Sequence, residues 1–159
     1  MAIEKAREYL KGFGMEKRIQ EFNVSSATVE LAAAALGCEP KRIAKSLTFM
    51  VDGKAVLIVA AGDAKIDNPK YKAEFSTKAK MLSPDEVETM IGHSIGGVCP
   101  FGINSDVSVY LDISLKRFKT VFPACGSSNS AIELTLDELE KLSNSIKYID
   151  VCKNWQEEI

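Results

Sequence analysis

The feature that most constrains the fold is an Asp52-Gly53 pair between two runs of residues with high β-propensity. The first run is SLTFMV (46–51) and the second is KAVLIVAAG (54–62). A two-residue type I′ turn needs positive φ at both central positions, which Asp-Gly tolerates, and such a turn joins antiparallel strands. The second run is apolar almost without interruption, which is typical of a strand buried on both faces. The sequence therefore predicts a β-hairpin with a buried second strand.

Helices and strands are interspersed around this hairpin. Amphipathic spacing, capping boxes and cap glycines predict helices over 2–20, 25–37, 83–92 and 135–142, with a short turn of helix over 40–44 and another over 114–118. Further β-rich runs predict strands over 79–82, 107–112, 120–124, 131–134 and 147–151. No regular element is predicted for the polar stretch after Asp63. This order indicates an α+β fold, in which helices pack around a mixed sheet.

Composition excludes several classes of function. The 159 residues include 20 Lys+Arg and 22 Asp+Glu, which gives a net charge of −2. This charge excludes a protein that binds nucleic acid electrostatically over its whole surface. No apolar run approaches the roughly 18 residues of a membrane span, and the charged N-terminus lacks the apolar core of a signal peptide. Four scattered cysteines indicate reduced thiols, and one histidine excludes a His-rich zinc centre. We expect one domain over 1–159 in the cytoplasm, with no membrane or DNA partner, no metal and no cofactor.

Lys45 is the most unusual residue on local grounds. Strand alternation places it on the same face as Leu47, Phe49 and Val51, which is the more apolar face of the first hairpin strand. A lysine aimed at a core extends to solvent, pairs with an acid or lines a pocket, and desolvation would lower its pKa. The alternative is a surface lysine at the junction between a helix and a strand.

Two loops of small residues are candidates for ligand binding. In GGVCPFG (96–102) the glycines permit positive φ and close approach of the backbone, so successive N–H groups can form an anion nest or an oxyanion hole. The same loop is equally a tight helix-to-strand connection. The loop ACGSSNSA (124–131) offers hydroxyl and amide groups, although a turn of this composition needs no function. Asp63, directly after the buried strand, is either a general base or a turn residue.

Two further sets of side chains each have a chemical and a structural interpretation. Cys99 and Cys125 are either nucleophiles, for which His93 is the single available imidazole, or buried structural thiols. A local excess of positive charge follows Asp63. Its lysines either track a phosphate backbone or form a solvated face, and they are Lys65, Lys70, Lys72, Lys78 and Lys80.

The motifs together resemble one known family. The matching segments are TVELAAAALG (28–37), RIAKSLTFMVDGKAVLIVAAGD (42–63), SPDEV (83–87), GHSIGGVCPFG (92–102), VYLD (109–112) and ACGSSNSAIELTLDEL (124–139). Their order and spacing are similar to the YbaK / prolyl-tRNA-synthetase-associated editing domain family. The resemblance implies a single domain with a strongly curved, barrel-like mixed sheet surrounded by helices.

The resemblance also implies an activity and a site. Members of this family hydrolyse the ester of a mischarged aminoacyl-tRNA that carries alanine, serine, cysteine or proline, so the implied partners are a tRNA of the proline or cysteine type and an aminoacyl-tRNA synthetase. The implied catalytic residues are Lys45, Gly97, Val98 and Cys99. The implied substrate-binding residues are Gly96, Pro100, Gly126, Ser127, Ser128, Asn129 and Asp63. The five lysines between 65 and 80 would bind the tRNA.

The implied chemistry needs no nucleophilic side chain, because an aminoacyl ester is already activated. Water can attack once the carbonyl is held and the oxyanion is stabilised. Backbone N–H groups near Gly97 to Cys99 would hold the amino-acid end, Lys45 the terminal phosphate or ribose, and the neighbouring ribose hydroxyl would assist. Two alternatives remain open: a non-catalytic module that binds a tRNA end or a synthetase, and a thiol-dependent enzyme that uses Cys99 or Cys125.

Overall fold

The computed structural model describes residues 2–94 and 96–155 and arranges them around a curled six-stranded mixed sheet. Its strands lie in the spatial order β8-β6-β2-β3-β5-β9. The pairs β2/β3 and β6/β8 are antiparallel, whereas β2/β6, β3/β5 and β5/β9 are parallel. The strand bounds are β2 Ile43–Val51, β3 Lys54–Ala61, β5 Ser108–Asp112, β6 Thr120–Pro123, β8 Leu134–Thr135 and β9 Tyr148–Ile149. The predicted α+β fold with a curved mixed sheet is confirmed.

Two short antiparallel pairs lie outside this sheet. The strand β1 pairs with β7, and β4 pairs with β10. Their bounds are β1 Gln20–Glu21, β7 Ser130–Ala131, β4 Lys65–Ile66 and β10 Cys152–Lys153. The α-helices among the described residues are α1 Ala2–Lys11, α2 Val29–Leu36, α3 Asn68–Phe75, α4 Pro84–Glu86 and α5 Leu136–Ser143. The short helical turns predicted over 40–44 and 114–118 are 3₁₀ helices at Pro40–Arg42 and Ile113–Arg117, and a third 3₁₀ helix lies at Glu16–Arg18. None of these helices has the length and apolar character needed to cross a membrane.

The predicted hairpin is confirmed at the centre of the sheet. Asp52 and Gly53 have φ values of 51° and 78°, and the pairing runs from Val51↔Lys54 to Ala44↔Ala61. All of β3 beyond Lys54 is buried, because β2 and β5 flank it and the helices cover the sheet. The continuous apolar run therefore supplies the middle of the main core.

The predicted caps are confirmed for three helices. Gly37 closes α2 in the left-handed conformation as predicted, but the helix begins at Val29 rather than Ser25, because Thr28 caps it through a bond from the backbone N–H of Leu31. Both capping boxes form, with Ser83 starting α4 and Thr135 starting α5. After one turn α4 widens into a π-helical segment, Val87–Ile91, that ends at Gly92 as predicted.

Four other predicted elements differ from the structure. The helix predicted over 2–20 ends at Lys11, because the glycines that follow disfavour helix and the chain reverses through a bond from Met15 N–H to the Leu10 carbonyl. The segment 79–82 joins the sheet only through the bridge Phe49↔Met81. The strand predicted over 131–134 is split between β7 and β8, which have different partners. The strand predicted over 147–151 is confined to Tyr148–Ile149, and β10 follows it at Cys152–Lys153.

A further difference is α3, which has no counterpart in the prediction. Asp67 caps it and Pro69 lies in its first turn, yet Tyr71 is its single fully buried residue. A helix that buries so little carries almost no apolar periodicity, which is the signal that sequence analysis depends on. Tyr71 packs against Phe49 and Phe75 and holds the helix to the sheet.

The hairpin turn gives a direct test of the fold. We expect Gly53→Ala to lower the free energy of unfolding by about 1 kcal/mol, because an L-residue there must keep positive φ. A Cβ at this position meets no atom within 4 Å, so the cost is conformational alone. Urea unfolding measures it. Lys54→Ala, at the exposed next position, is the control and should change stability by less than about 0.5 kcal/mol.

Candidate active site

A cleft of about 270 Å³ borders β2 on the side away from β3. On this side β6 pairs with β2 only at Ile43 and Ala44, and the segment 80–82 bonds to it only at Thr48 and Met50. Between these two contacts the described chain leaves room beside residues 45–47. The cleft exists because one strand of the sheet lacks a full-length neighbour.

Four parts of the chain close the cleft. The segment that enters α2 forms one wall, and β2 forms the floor. Leu82 and Val87 with the loop at Gly96 and Val98 form the opposite side, while the end of β6 and β7 closes the remaining edge. Most of the lining is apolar, and Lys45 is the charged residue among the described lining residues.

Lys45 is half-buried at the floor of the cleft, and its ammonium is bound by backbone carbonyls rather than by an acid. Its Nζ donates to the carbonyl of Gly62 at 3.3 Å and to the carbonyl of Ala64. Desolvation by burial is the main cause that lowers the pKa of Lys45. An ammonium has three donors, so these two described carbonyls leave one N–H for a ligand.

The residue that presents a carbonyl to Lys45 has no room for a side chain. A Cβ at Gly62 would collide with the carbonyl oxygen of Pro40 and approach a methyl carbon of Val29 to 2.8 Å. The end of β3 therefore packs directly on the chain that leads into β2. This contact holds the Gly62 carbonyl where the Lys45 side chain can reach it.

The glycine loop predicted at 96–100 approaches a second loop at the level of the backbone. A Cβ at Gly97 would lie 2.6 Å from both N and Cα of Ser127, so only glycine permits the contact. Gly96 and Val98 line the cleft, whereas Cys99 and Pro100 are buried away from its lining. The N–H of Gly97 donates to the Ser94 carbonyl at 3.1 Å, which commits that donor within the loop.

The loop 124–131 uses its polar side chains for its own structure. Ser127 Oγ bonds to Ser130 Oγ at 2.7 Å and donates to Oδ1 of Asn129 at 2.9 Å, while Asn129 Nδ2 donates to the Phe22 carbonyl. The predicted binding residues Gly126, Ser127, Ser128 and Asn129 do not line the cleft. The residues of this region that do are Ala124, Ser130 and Ala131.

Asp63 lies beside the site but faces a different partner. Arg117 donates to both of its carboxylate oxygens, at 2.6 and 2.9 Å, and also to the carbonyl of Trp155. The guanidinium stacks over the rings of Phe118 and Trp155. The predicted substrate-binding carboxylate is therefore held in an ion pair outside the cleft lining, near the end of β3.

The thiols are poorly placed for nucleophilic chemistry. Cys99 and Cys125 are fully buried, and burial raises the pKa of Cys99 to about 12 and that of Cys125 well above its usual value. His93 is also buried, and desolvation lowers its pKa. Its Nε2 lies 2.8 Å from the Phe101 carbonyl and 3.6 Å from Cys99 Sγ. Both thiols are therefore neutral and shielded from solvent, which agrees with their interpretation as buried structural thiols rather than nucleophiles.

The five candidate tRNA-binding lysines are not equally available. Lys70 pairs with Asp150 at 3.0 Å and donates to the Cys152 carbonyl. Exposed side chains remain at Lys65, Lys72, Lys78 and Lys80. Lys80 directly precedes Met81, which lines the cleft, so positive charge extends to the mouth of the site.

Two serines that the sequence analysis did not consider complete the cleft. Ser26 and Ser46 both line it, and each has a buried hydroxyl oxygen that finds no hydrogen-bond partner among the residues that the structure describes. Ser46 adjoins Lys45 in a predicted strand, which is a weak signal. No sequence signal points to Ser26, because only the packing of the segment before α2 brings this residue to the cleft. Within residues 2–94 and 96–155, no cluster of three or more His, Cys, Asp or Glu is suited to a metal ion.

Known proteins resemble this chain in sequence and in structure. The profile of the aminoacyl-tRNA editing domain matches residues 24–142. The uncharacterized protein YwhH of Bacillus subtilis strain 168 is 57% identical over 157 residues, which is 98% of this chain and 100% of YwhH. A proline–tRNA ligase of Geobacillus kaustophilus is 35% identical over 86 residues, 54% of this chain but only 15% of the ligase. A solved structure described as a candidate trans-editing enzyme for prolyl-tRNA synthetase has a TM-score of 0.86 and 28% identity, covering 96% of this chain and 97% of its own.

The burial of the thiols predicts their reactivity. With iodoacetamide at pH 8, we expect the native protein to be modified only at the partly exposed Cys38, because the other three thiols are buried. Intact-mass and peptide analysis would count and locate the modified residues, and protein unfolded in urea is the control in which all four react. Rapid modification of Cys99 or Cys125 in the folded state would contradict the structure and reopen the thiol-enzyme alternative.

Proposed function

The chain belongs to the aminoacyl-tRNA editing domain family, and from this premise we propose that it is a trans-editing aminoacyl-tRNA deacylase. In this proposal the protein hydrolyses the ester that joins a small amino acid to a mischarged tRNA. Its partners are the tRNA and an aminoacyl-tRNA synthetase, and it acts in the cytoplasm. The similarity to proline–tRNA ligases favours a tRNA of the proline type over one of the cysteine type.

The cleft that contains Lys45 is the observation that carries the proposal. Its volume of about 270 Å³ and its largely apolar lining suit a small amino acid. Steric exclusion of larger side chains is a stronger discriminator than a missing methylene, which is worth only about 1–3 kcal/mol. The exposed lysines that precede Met81 in the chain would attract the phosphate backbone of the tRNA to the opening of the cleft.

The mechanism that we propose needs only positioned donors and water. The remaining N–H of the Lys45 ammonium binds the terminal phosphate or ribose of the tRNA as a point charge. The Gly97 N–H is bonded within the loop and Cys99 lies outside the cleft lining, so we assign the backbone N–H of Val98, which lines the cleft, to the amino-acid end and its developing oxyanion. A water molecule then attacks the carbonyl, and the ribose hydroxyl next to the ester relays its proton to the departing ribose oxygen. The ester C–O bond breaks, which releases the free amino acid and the uncharged tRNA. The Cys99 side chain takes no part, because burial keeps the thiol neutral.

Lys45 gives the decisive test of the activity. Lys45→Met removes the charge but keeps an unbranched stem in the half-buried position. We expect wild type to hydrolyse at least one of alanyl-, seryl-, cysteinyl- and prolyl-tRNA, and the variant to be about 100-fold slower, because an ester that is no longer held in position by the tRNA end reacts more slowly by about that factor. A deacylation assay with radiolabelled amino acid on tRNA-Pro and on a second tRNA measures both.

Lys54→Met is the matched control, because Lys54 is exposed at the opposite end of the hairpin. It should retain the wild-type rate. Equal rates for wild type and Lys45→Met would contradict the assignment of Lys45. Tight binding of charged tRNA without hydrolysis anywhere on the panel would contradict the deacylase proposal and favour the non-catalytic binding module.

The exposed lysines predict a salt-dependent affinity for tRNA. Changing Lys72, Lys78 and Lys80 together to Gln should weaken binding and reduce the slope of log K against log salt by about 2, since each lost phosphate contact removes about 0.7–0.9. Filter binding between low and moderate salt gives the slope. The control carries the same change at three other exposed lysines, Lys11, Lys17 and Lys141. An identical slope for the two triple variants would remove the 65–80 lysines from the interface.

A further inference from the structure

Two buried hydroxyls in the cleft lack hydrogen-bond partners. The oxygens of Ser26 and Ser46 are inaccessible to solvent and unpaired among the described residues, and Ser26 as a whole is only 8% exposed. A buried hydroxyl without a partner is costly, so such groups in a native structure commonly await a ligand or water. Both serines line the same cleft, one from the wall and one from the floor.

The other polar side chains near these serines do not satisfy them. Thr28 accepts from the backbone N–H of Leu31, Ser130 bonds to Ser127, and Lys45 donates to the carbonyls at the end of β3. The rest of the lining close to the serines is built largely of alanine, valine, isoleucine and leucine. Thr48 is the remaining hydroxyl of the described lining and lies two residues along β2 from Ser46. Recognition of a polar ligand group in this part of the cleft therefore depends on these hydroxyls, of which Ser26 and Ser46 are the buried ones without a partner among the described residues.

Charge decides which kind of group the serines suit. The cleft lining contains Lys45 but no Asp or Glu among its described residues. A buried ammonium would lack a carboxylate and be repelled by Lys45, whereas a neutral hydroxyl can both donate and accept. The α-ammonium of an aminoacyl group belongs near the mouth, and a neutral polar side chain belongs beside the serines.

We infer that Ser26 and Ser46 are specificity-determining residues that select an aminoacyl group with a hydroxyl side chain, seryl or threonyl, over alanyl of nearly equal size. This inference rests on the proposed function, since it names the substrate of the same site. The substrate hydroxyl exchanges hydrogen bonds with both serines, after rotation of their side chains about χ1. An alanyl group leaves both serines unpaired, which is the arrangement that gives strong discrimination.

The experiment uses two ligands that cannot be hydrolysed. They are the 3′-amide analogues of seryl-adenosine and alanyl-adenosine, in which an amide replaces the ester. Calorimetric titration of the full chain should give a dissociation constant about tenfold or more lower for the seryl analogue. Deacylation of seryl- and alanyl-tRNA with the same tRNA gives the corresponding ratio of kcat/KM.

Ser26→Ala and Ser46→Ala should each reduce the seryl preference several-fold and leave affinity for the alanyl analogue unchanged. Ser105→Ala, at an exposed position of the loop before β5, is the matched control and should keep the wild-type ratio. Because the two hydroxyls are unpaired in the free protein, the urea midpoints of both cleft variants should equal or exceed that of wild type. A lowered midpoint would mean that the hydroxyl has a structural partner, which would overturn the inference.

The remaining outcomes separate the inference from the proposed function. Equal affinity for the two analogues, equal weakening of both by the variants, or binding of neither would overturn the selection of a hydroxyl, even if deacylation is found. If both variants bind the two analogues more weakly by the same factor, the serines contact the ribose, which the analogues share, and not the amino-acid side chain. A seryl preference in binding without hydrolysis of any charged tRNA would support the inference and refute the deacylase proposal.

Discussion

The unequal pairing of β2 is the constraint on which the site depends. One edge of this strand is bonded along its length to β3, whereas the other is bonded to β6 at one end and to the segment 80–82 at the other. A fully paired strand would leave no cleft, and an open edge would expose its backbone groups to other chains. Walls from the segment that enters α2 and from the loop at Gly96 and Val98 turn the gap into a small cleft.

Close backbone contacts fix the parts of the site relative to one another. Gly62 packs on Pro40 behind Lys45, and Gly97 packs on Ser127 behind the cleft-lining residues Gly96 and Val98. Each contact excludes a Cβ, so neither can relax without moving two segments of backbone. Catalysis by positioned donors requires such rigidity, because the donors must already lie where charge develops.

The electrostatics of the cleft agree with a reaction that needs no nucleophilic side chain. Burial keeps the thiols of Cys99 and Cys125 neutral, and Asp63 is held by Arg117. Lys45 therefore provides the charge of the described lining, and its carbonyl partners orient the ammonium without neutralising it. These features agree with the proposed reaction, in which the substrate is an already activated aminoacyl ester at the anionic end of a tRNA.

Local signals predicted the elements whose causes are local. The Asp52-Gly53 turn, the apolar run of β3 and the caps at Gly37, Ser83 and Thr135 depend on residues within a few positions, and all five are confirmed. The same analysis missed α3, whose stability depends on the contact of Tyr71 with a distant strand. It also extended the first helix too far, because the reversal at Leu10 and Met15 is not encoded in apolar periodicity.

By itself, the sequence determined the hairpin and the caps. It also singled out Lys45, because a lysine at the start of an apolar strand face is unusual. Only the tertiary structure decided which side chains meet. It committed Ser127 and Asn129 to holding their loop, placed Asp63 against Arg117, and brought Ser26 to the cleft from a segment without any motif. The physical reason is that β2 obtains its neighbours from β6 and 80–82 through long-range pairing, and no local pattern records where that pairing stops.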